Sequence, residues 1–516
     1  MPNPRSAFPA LALLTLVFVT GCSAEPKHLS TRDPLTTKLD SILHRRDDGN
    51  TVFGARVIDT RTGKELYTHD IDRPLMPASN MKLATSAAGL DFFGPDYIFK
   101  TYLAIDGDDL WLIGTGDPAC GDLAIAKANK RTTMSMLDDW VAALRKRGIN
   151  HVRGQIRFYD GALESQRIHP SWSKSFAGDW YAAPVSGLNF NDNCVDVKVT
   201  PGKPGQPVSL TVVPATTLNQ FVNNCTSADP RSVPVGAAAS AGDGEEAKTK
   251  DQPDIKRDPD ANLFRITGAA TQPTDLPSTS VTDPGAFFAD ALRTHLISRG
   301  IPVDGGIERA EKPLGGKLIP PTSKIVAVHE SKMSDVMWRI NKSSQNLFAE
   351  AMCKMLGREW SKKTTHTDVP GSWSSGGEAV KAFLTRNGID TSKYVIVDGS
   401  GLSRENRVTV RIISDVLVTM NKSPNRDAFR ASLSVAGKDG TLKNRLKDLP
   451  PNTMIGKTGY IGSVRSLSGF VKTRSGDELV ISIIYNGFKG SVKPYEELQD
   501  EVVRTLVDWP NISSSK

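Results

Sequence analysis

The chain has 516 residues, 39% of them hydrophobic and 23% charged, with a formal charge of +7. That length accommodates two or three domains, and the balance is that of a folded globular protein. Its Lys and Arg residues are scattered rather than clustered, which removes nucleic acid from the expected partners.

The first stretch, MPNPRSAFPALALLTLVFVTGCSAEP, has one Arg, an apolar run and then small residues, the layout of a secretory signal. The run falls short of the roughly 18 apolar residues of a membrane span, and no later segment reaches that length. Two readings of its end stay open. Val19-Thr20-Gly21-Cys22 resembles a bacterial lipobox, which would make residues 1–22 the signal and Cys22 the lipidated residue. Small-x-small cleavage after Cys22-Ser23-Ala24 is the other reading. Both put the protein outside the cytoplasm, in the periplasm, and the first also ties it to a membrane through lipid.

Residues 23–36 are polar and contain proline, so a tether is expected there. TKLDSILHRR (37–46) has helical spacing at Leu39, Ile42 and Leu43, and TVFGARVIDTRTGKELYTHD (51–70) reads as a hairpin turning at Thr62-Gly63. Residues 101–325 hold many short β-like runs broken by Gly, Pro and Asp, as in one or two inserted β-rich domains. Within them, 231–260 has almost no large apolar residues and is expected to be a mobile loop. From residue 454, MIGKTGYIG, VRSLSGFVKT and ELVISIIYNG are three β-rich runs. YEELQDEVVRTLVDW then sets apolar residues along one helix face. The expected fold is α+β: residues 37–100 and 326–510 form one antiparallel sheet, joined from both ends of the chain and covered by helices.

Apart from Cys22, four cysteines remain: Cys120, Cys194, Cys225 and Cys353. An even count suits an oxidising compartment and allows three pairings. Cys194 and Cys225, close together around a β segment, are the favoured bridge. There is no C-x-x-C and no cysteine beside a histidine at ligand spacing, so neither metal nor cofactor is expected.

Gly456-Lys457-Thr458 looks like the tail of a phosphate-binding loop. That loop needs a glycine five residues earlier and a helix straight after. Pro451 and a strand stand in those places, and the nucleotide reading fails. Shifted by one, the letters give Lys457-Thr458-Gly459. Ser79-Asn80-Met81-Lys82 lies at the start of an Ala/Leu-rich helix, where i and i+3 side chains share a face. A serine hydroxyl becomes a good nucleophile when a base takes its proton. A lysine serves as that base once burial or a second cation lowers its usual pKa of roughly 10.4. Ser344-Gln345-Asn346 opens another helix. Two decoys lack such a helix, Ser171-x-x-Lys174 and Ser423-Pro424-Asn425.

S-x-x-K, S-x-N and K-T-G in this order resemble the set of penicillin-binding proteins and serine β-lactamases. The long separation of the first two motifs resembles the penicillin-binding-protein-4 type of D-alanyl-D-alanine carboxypeptidase/endopeptidase. So do LWLIGTGDPACGD (110–122), YAAPVSGLNFNDNCVDVKVTPG (181–202), VDGSGLSRENRVT (397–409) and GSVRSLSGFV (462–471). The resemblance implies a transpeptidase-like catalytic domain, with peptidoglycan stem peptides and β-lactam antibiotics as ligands. It implies Ser79 as nucleophile, Lys82 as its base and Ser344 as proton relay. Asn346 would position Lys82 and the substrate amide, and Lys457 would polarise Ser344 and attract the substrate carboxylate. Thr458 would bind that carboxylate, Gly459 would leave room for the substrate backbone, and the amides of Ser79 and Tyr460 would form the oxyanion hole. Tyr460 replaces the family's usual small hydroxyl residue, which puts substrate preference in question. Asp179 is either a contact for the free amine of a diamino acid in the stem peptide or a solvated loop acid.

The rival hydrolases find little footing. There is no G-x-S-x-G and no H-E-x-x-H, since Met333 stands where the second histidine would be. The alternatives left standing are a β-lactamase-like hydrolase and a wall-binding lipoprotein with a retired site.

Overall fold

The computed structural model describes residues 33–46, 48–229 and 252–510. The expected signal, Cys22 and most of the expected tether lie outside them. The Asp33 carboxylate accepts from the Thr36 amide and caps the helix Pro34–Leu43, with Pro34 in the first turn, where its missing N–H costs nothing. Helix therefore begins inside the stretch expected to be a tether.

A six-stranded sheet organises the rest. Its order is Ser434–Val435, Met454–Ile461, Val464–Lys472, Glu478–Asn486, Val52–Asp59, Glu65–His69, and every neighbouring pair is antiparallel. The N-terminal hairpin thus joins the C-terminal meander along Val52–Asp59, with Val52 opposite Asn486 and Asp59 opposite Leu479.

Alternation along the strands feeds two cores. Leu479, Ile481, Ile483 and Tyr485 face one core, with Leu39, Ile42, Leu498, Val502 and Leu506 from the helices Pro34–Leu43 and Lys493–Val507. Val480 and Ile484 face the other core. There the helix Met81–Phe93 is buried at every position from Met81 to Leu90, as a helix of small and apolar residues on all sides should be. Around it stand the helices Met333–Asn341, Asn346–Thr365, Trp373–Arg386 and Val410–Lys422.

The middle of the chain builds its own layers and its own core. A five-stranded sheet runs Ile307–Arg309, Ile156–Tyr159, Asp109–Gly114, Ile98–Asp106, Ile325–Lys332, mixed in direction. It shares a core (Leu103, Leu112, Phe158) with Trp140 of the helix Ser135–Lys146 and Phe288 of the helix Pro284–Ser298. Smaller sheets follow, one centred on Cys194–Thr200. Ile98–Asp106 pairs directly with Ile325–Lys332, so the sheet takes in residues just outside the expected limits of 101 and 325. Of the loop expected at 231–260, the described part includes a strand, Asp254–Arg257, paired with Leu263–Thr267.

The expected Cys194–Cys225 bridge is absent: Cys120, Cys194, Cys225 and Cys353 are all buried and free. Cys194 opens its strand, opposite Ser280. The Cys225 carbonyl accepts from the Val208 amide, next to Ser209, which pairs with Thr200 at the far end of that strand. A strand of this length separates them by roughly 20 Å, and a disulfide needs α-carbons within about 7 Å.

Candidate active site

Ser79 lies in a single 3-10 turn, Ala78–Asn80, that runs into the helix Met81–Phe93. Ala78 before it has a left-handed φ of 47°, an uncommon conformation for a residue with a β-carbon and one concentrated at functional turns. Gly401 lies so close that a β-carbon there would sit 1.9 Å from the Ala78 carbonyl oxygen; only glycine lets the two segments meet. One helical turn beyond Ser79, Lys82 is fully buried. Its Nζ donates to Ser79 Oγ at 2.9 Å, to Asn346 Oδ1 at 2.6 Å and to the Ser400 carbonyl at 2.9 Å. Asn346, the first residue of the helix Asn346–Thr365, gives its amide N–H to the Tyr181 carbonyl at 2.7 Å.

The strand Met454–Ile461 supplies the other wall. Ile455 and Ile461 pack toward the helical core that holds Met81, and alternation puts Lys457 and Gly459 on that same side. Lys457 is fully buried; its Nζ donates to Ser344 Oγ at 2.8 Å and to the Thr458 carbonyl at 2.7 Å. Ser344 has a φ of 58°, a second left-handed residue at the site. The strand is fastened to the serine turn. Asn80 Nδ2 donates to the Lys457 carbonyl at 3.0 Å, and Asn80 Oδ1 accepts from Ser468 Oγ at 2.6 Å. A β-carbon on Gly459 would lie 2.9 Å from the Ser79 amide nitrogen and 2.3 Å from Ser466 Oγ. Thr458 Oγ1 donates to Thr441 Oγ1 at 2.7 Å. Ser79, Lys82, Ser344, Asn346 and Lys457 therefore meet in one place although their motifs are far apart in the chain.

Two buried clusters beneath these residues had no assigned role in the sequence. Under Lys82, Glu350 accepts from Trp373 Nε1 and the amides of Gly399 and Ser400 at 2.7, 2.8 and 2.9 Å. Asp398 accepts from Trp172 Nε1, from Asn406 Nδ2 and from the amides of Gly401 and Ser403. Together they hold the loop that presents the Ser400 carbonyl. Burial and the Asp398 charge push Glu350 up to about 7 against the pull of its N–H donors. Beside Ser344, Arg339 bridges Asp122 and Asp192 at 2.8 Å each, and Gln345 Nε2 donates to Asp192 at 2.8 Å. Burial, with Asp122 close by, pushes Asp192 up to about 7. The stretch VDGSGLSRENRVT, dense in small and polar residues, was the one available signal for the first cluster.

The remaining candidates fall as follows. Tyr460 ends the K-T-G run opposite Arg465, partly exposed. Asp179 opens the turn Trp180–Ala182 and accepts from the Tyr181 hydroxyl at 2.6 Å; through Tyr181 it is linked to Asn346. Of the decoys, Ser171 donates to Ser403 Oγ and Asn425 to the Leu90 carbonyl, near the far end of the helix that carries Lys82.

The chain matches the D-Ala-D-Ala carboxypeptidase 3 (S13) family over residues 35–506. It is 30% identical over 529 residues to a D-alanyl-D-alanine carboxypeptidase of Actinomadura sp. (strain R39), covering 97% of this chain and 90% of the relative. It is 25% identical over 430 residues to the D-alanyl-D-alanine carboxypeptidase DacB of Haemophilus influenzae, covering 80% of this chain and 81% of that one. The crystal structure of penicillin binding protein 4 from H. influenzae shares its fold: TM-score 0.71 at 22% identity, over 92% of this chain and 99% of that one. The chain belongs to the S13 family of D-Ala-D-Ala carboxypeptidases.

Proposed function

We propose that this S13 family member is a serine D-alanyl-D-alanine carboxypeptidase that shortens peptidoglycan stem peptides through an acyl-enzyme on Ser79, and that penicillins acylate the same serine. One observation carries the reading: Lys82 Nζ stands 2.9 Å from Ser79 Oγ, held there by Asn346 and the Ser400 carbonyl.

In the proposed reaction Ser79 Oγ attacks the carbonyl between two D-alanines, and neutral Lys82 takes its proton. The amides of Ser79 and Tyr460 receive the negative oxygen of the tetrahedral intermediate; the contact of Gly459 with the Ser79 turn supports that pairing. Lys82 hands the Ser79 proton to Ser344, polarised by Lys457, and Ser344 gives its own to the departing amine as the C–N bond breaks to release D-alanine, which leaves Lys82 neutral again. Water then attacks the ester, its proton going back through Lys82, and frees the shortened peptide. Lys457 and Thr458 would receive the terminal carboxylate. Tyr460, bulkier than the usual residue, would set substrate preference, and Asp179 would meet the free amine of a diamino acid. Cleaving a D-alanyl cross-link is the same chemistry with a larger amine leaving.

The proposal places the enzyme outside the cytoplasm, anchored by lipid on Cys22. Among the described residues no helix is long and apolar enough to cross a membrane. Labelled penicillin followed by digestion tests the function. A stable adduct on the Ser79 peptide supports it, rapid drug turnover favours a β-lactamase-like hydrolase, and the lack of any adduct would mean a retired site.

A further inference from the structure

The last strand of the middle sheet and the turn after Asp109–Gly114 bring together three residues that the site described above does not use. Thr101 lies directly opposite His329 in the pairing of Ile98–Asp106 with Ile325–Lys332, and His329 and Ser331 share one face of their strand. The turn after Asp109–Gly114 sets Asp117 and Cys120 against that face. One ligand atom each of Asp117, Cys120 and His329 lie within 4.8 Å of one another, with Asp117 and Cys120 buried and His329 partly so.

We propose that Asp117, Cys120 and His329 form a site for a divalent transition-metal cation, Zn²⁺ by the donor set, that staples the turn after Asp109–Gly114 to the last strand of the middle segment, Ile325–Lys332. Carboxylate oxygen, thiolate sulfur and imidazole nitrogen together suit zinc, and hard oxygen-seeking cations such as Mg²⁺ do not share that preference. A zinc ion about 2.3 Å from sulfur and about 2.0 Å from oxygen in a tetrahedron sets those two atoms roughly 3.5 Å apart. Cys120 Sγ and Asp117 Oδ2 are 3.6 Å apart.

The surroundings are those of an outer shell, which orients ligands and sharpens affinity. Ser331 Oγ donates to Asp117 Oδ2 at 2.8 Å, the Ala119 amide donates to Asp117 Oδ1 at 2.9 Å, and Thr101 Oγ1 lies 3.2 Å from Cys120 Sγ. A cleft lined by Ala119, His329, Ser331 and Asp335 offers a path from solvent and room for water as the fourth ligand. On binding, the Cys120 thiol that donates to Asp117 loses its proton to solvent, and the thiolate and carboxylate both turn to the cation. Spacing along the chain concealed the cluster, because Cys120 and His329 become neighbours only through strand pairing.

The test uses the full chain without a histidine tag, stripped with a chelator and titrated with zinc chloride or cobalt chloride. The expected result is one metal per chain, a thiolate-to-cobalt charge-transfer band, and a thermal midpoint that rises with zinc. Cys120→Ser should remove the band and weaken zinc binding at least about tenfold. His329→Gln, at a partly exposed strand position, should also weaken it, and stands in if the serine variant does not fold. The proposal is overturned if the stripped protein takes up no zinc at micromolar concentration, if cobalt gives no thiolate band, or if both variants bind zinc as the parent does.

Discussion

Lys82 and Lys457 are both fully buried, yet the ground beneath them is built differently. On the Lys82 side, the carboxylates of Glu350 and Asp398 collect N–H donors from a loop and two tryptophans. On the Lys457 side, the Ser344 turn rests through Gln345 on Asp192, which shares one guanidinium with Asp122. Both oxygens of Glu350 already accept N–H bonds, whereas Asp192 Oδ1 is buried without a hydrogen-bond partner. Burial raises both acids to about 7, but only at Glu350 do N–H donors on both oxygens oppose the rise. The nucleophile corner is therefore held chiefly by N–H donors gathered on two carboxylates, and the strand corner by a charge balance around one guanidinium that a single substitution can upset.

The largest effect separates the two corners. Ser79→Ala should abolish the penicillin adduct and lower peptidase activity at least about 10⁴-fold, read by labelling and by D-alanine release. Any adduct still found on that peptide would sink the assignment. Next, Arg339→Met leaves Asp122 and Asp192 buried and unpaired, and breaking such a pair costs about 3–5 kcal/mol. Urea unfolding should show that loss, and an unchanged midpoint would mean that the charge balance does not support the Ser344 turn. Lys457→Ala should reduce kcat/KM about 10²–10³-fold while leaving Ser79 slowly labelled, since the Ser79–Lys82 contact survives; kinetics that match the parent would remove Lys457 from the machinery.

The smallest effect concerns pH. Folded Asp192 holds its proton up to about 7, while the unfolded chain releases it near the ordinary carboxyl value of 3.8. The native state then binds more protons than the unfolded one between those values, so this contribution is present below that window and is lost as pH rises through it. Asp192→Asn should flatten that part of the stability profile. A slope unchanged by the substitution would place the titration elsewhere.

Legibility followed distance along the chain. Ser79 and Lys82 could be paired on paper because i and i+3 meet on any helix, and Lys457-Thr458-Gly459 could be placed on a strand from its β-rich surroundings. The six-stranded sheet was legible for the same reason: a hairpin at one end and a meander at the other, each local, needed only to be joined. The Cys194–Cys225 bridge failed because closeness in sequence says nothing about which end of a strand each residue occupies. The Ser400 carbonyl, Glu350 and Asp398 went unassigned because a backbone carbonyl has no letter, and a buried acid reads like an exposed one.

By itself, then, the order of residues determined which local turns, helices and strands carry reactive groups, since those depend on backbone geometry over a few positions. Only the tertiary structure decided what those groups touch, from the oxygens around Lys82 to the meeting of Asp117, Cys120 and His329. Such contacts arise from strand register and helix packing, which many distant residues set together.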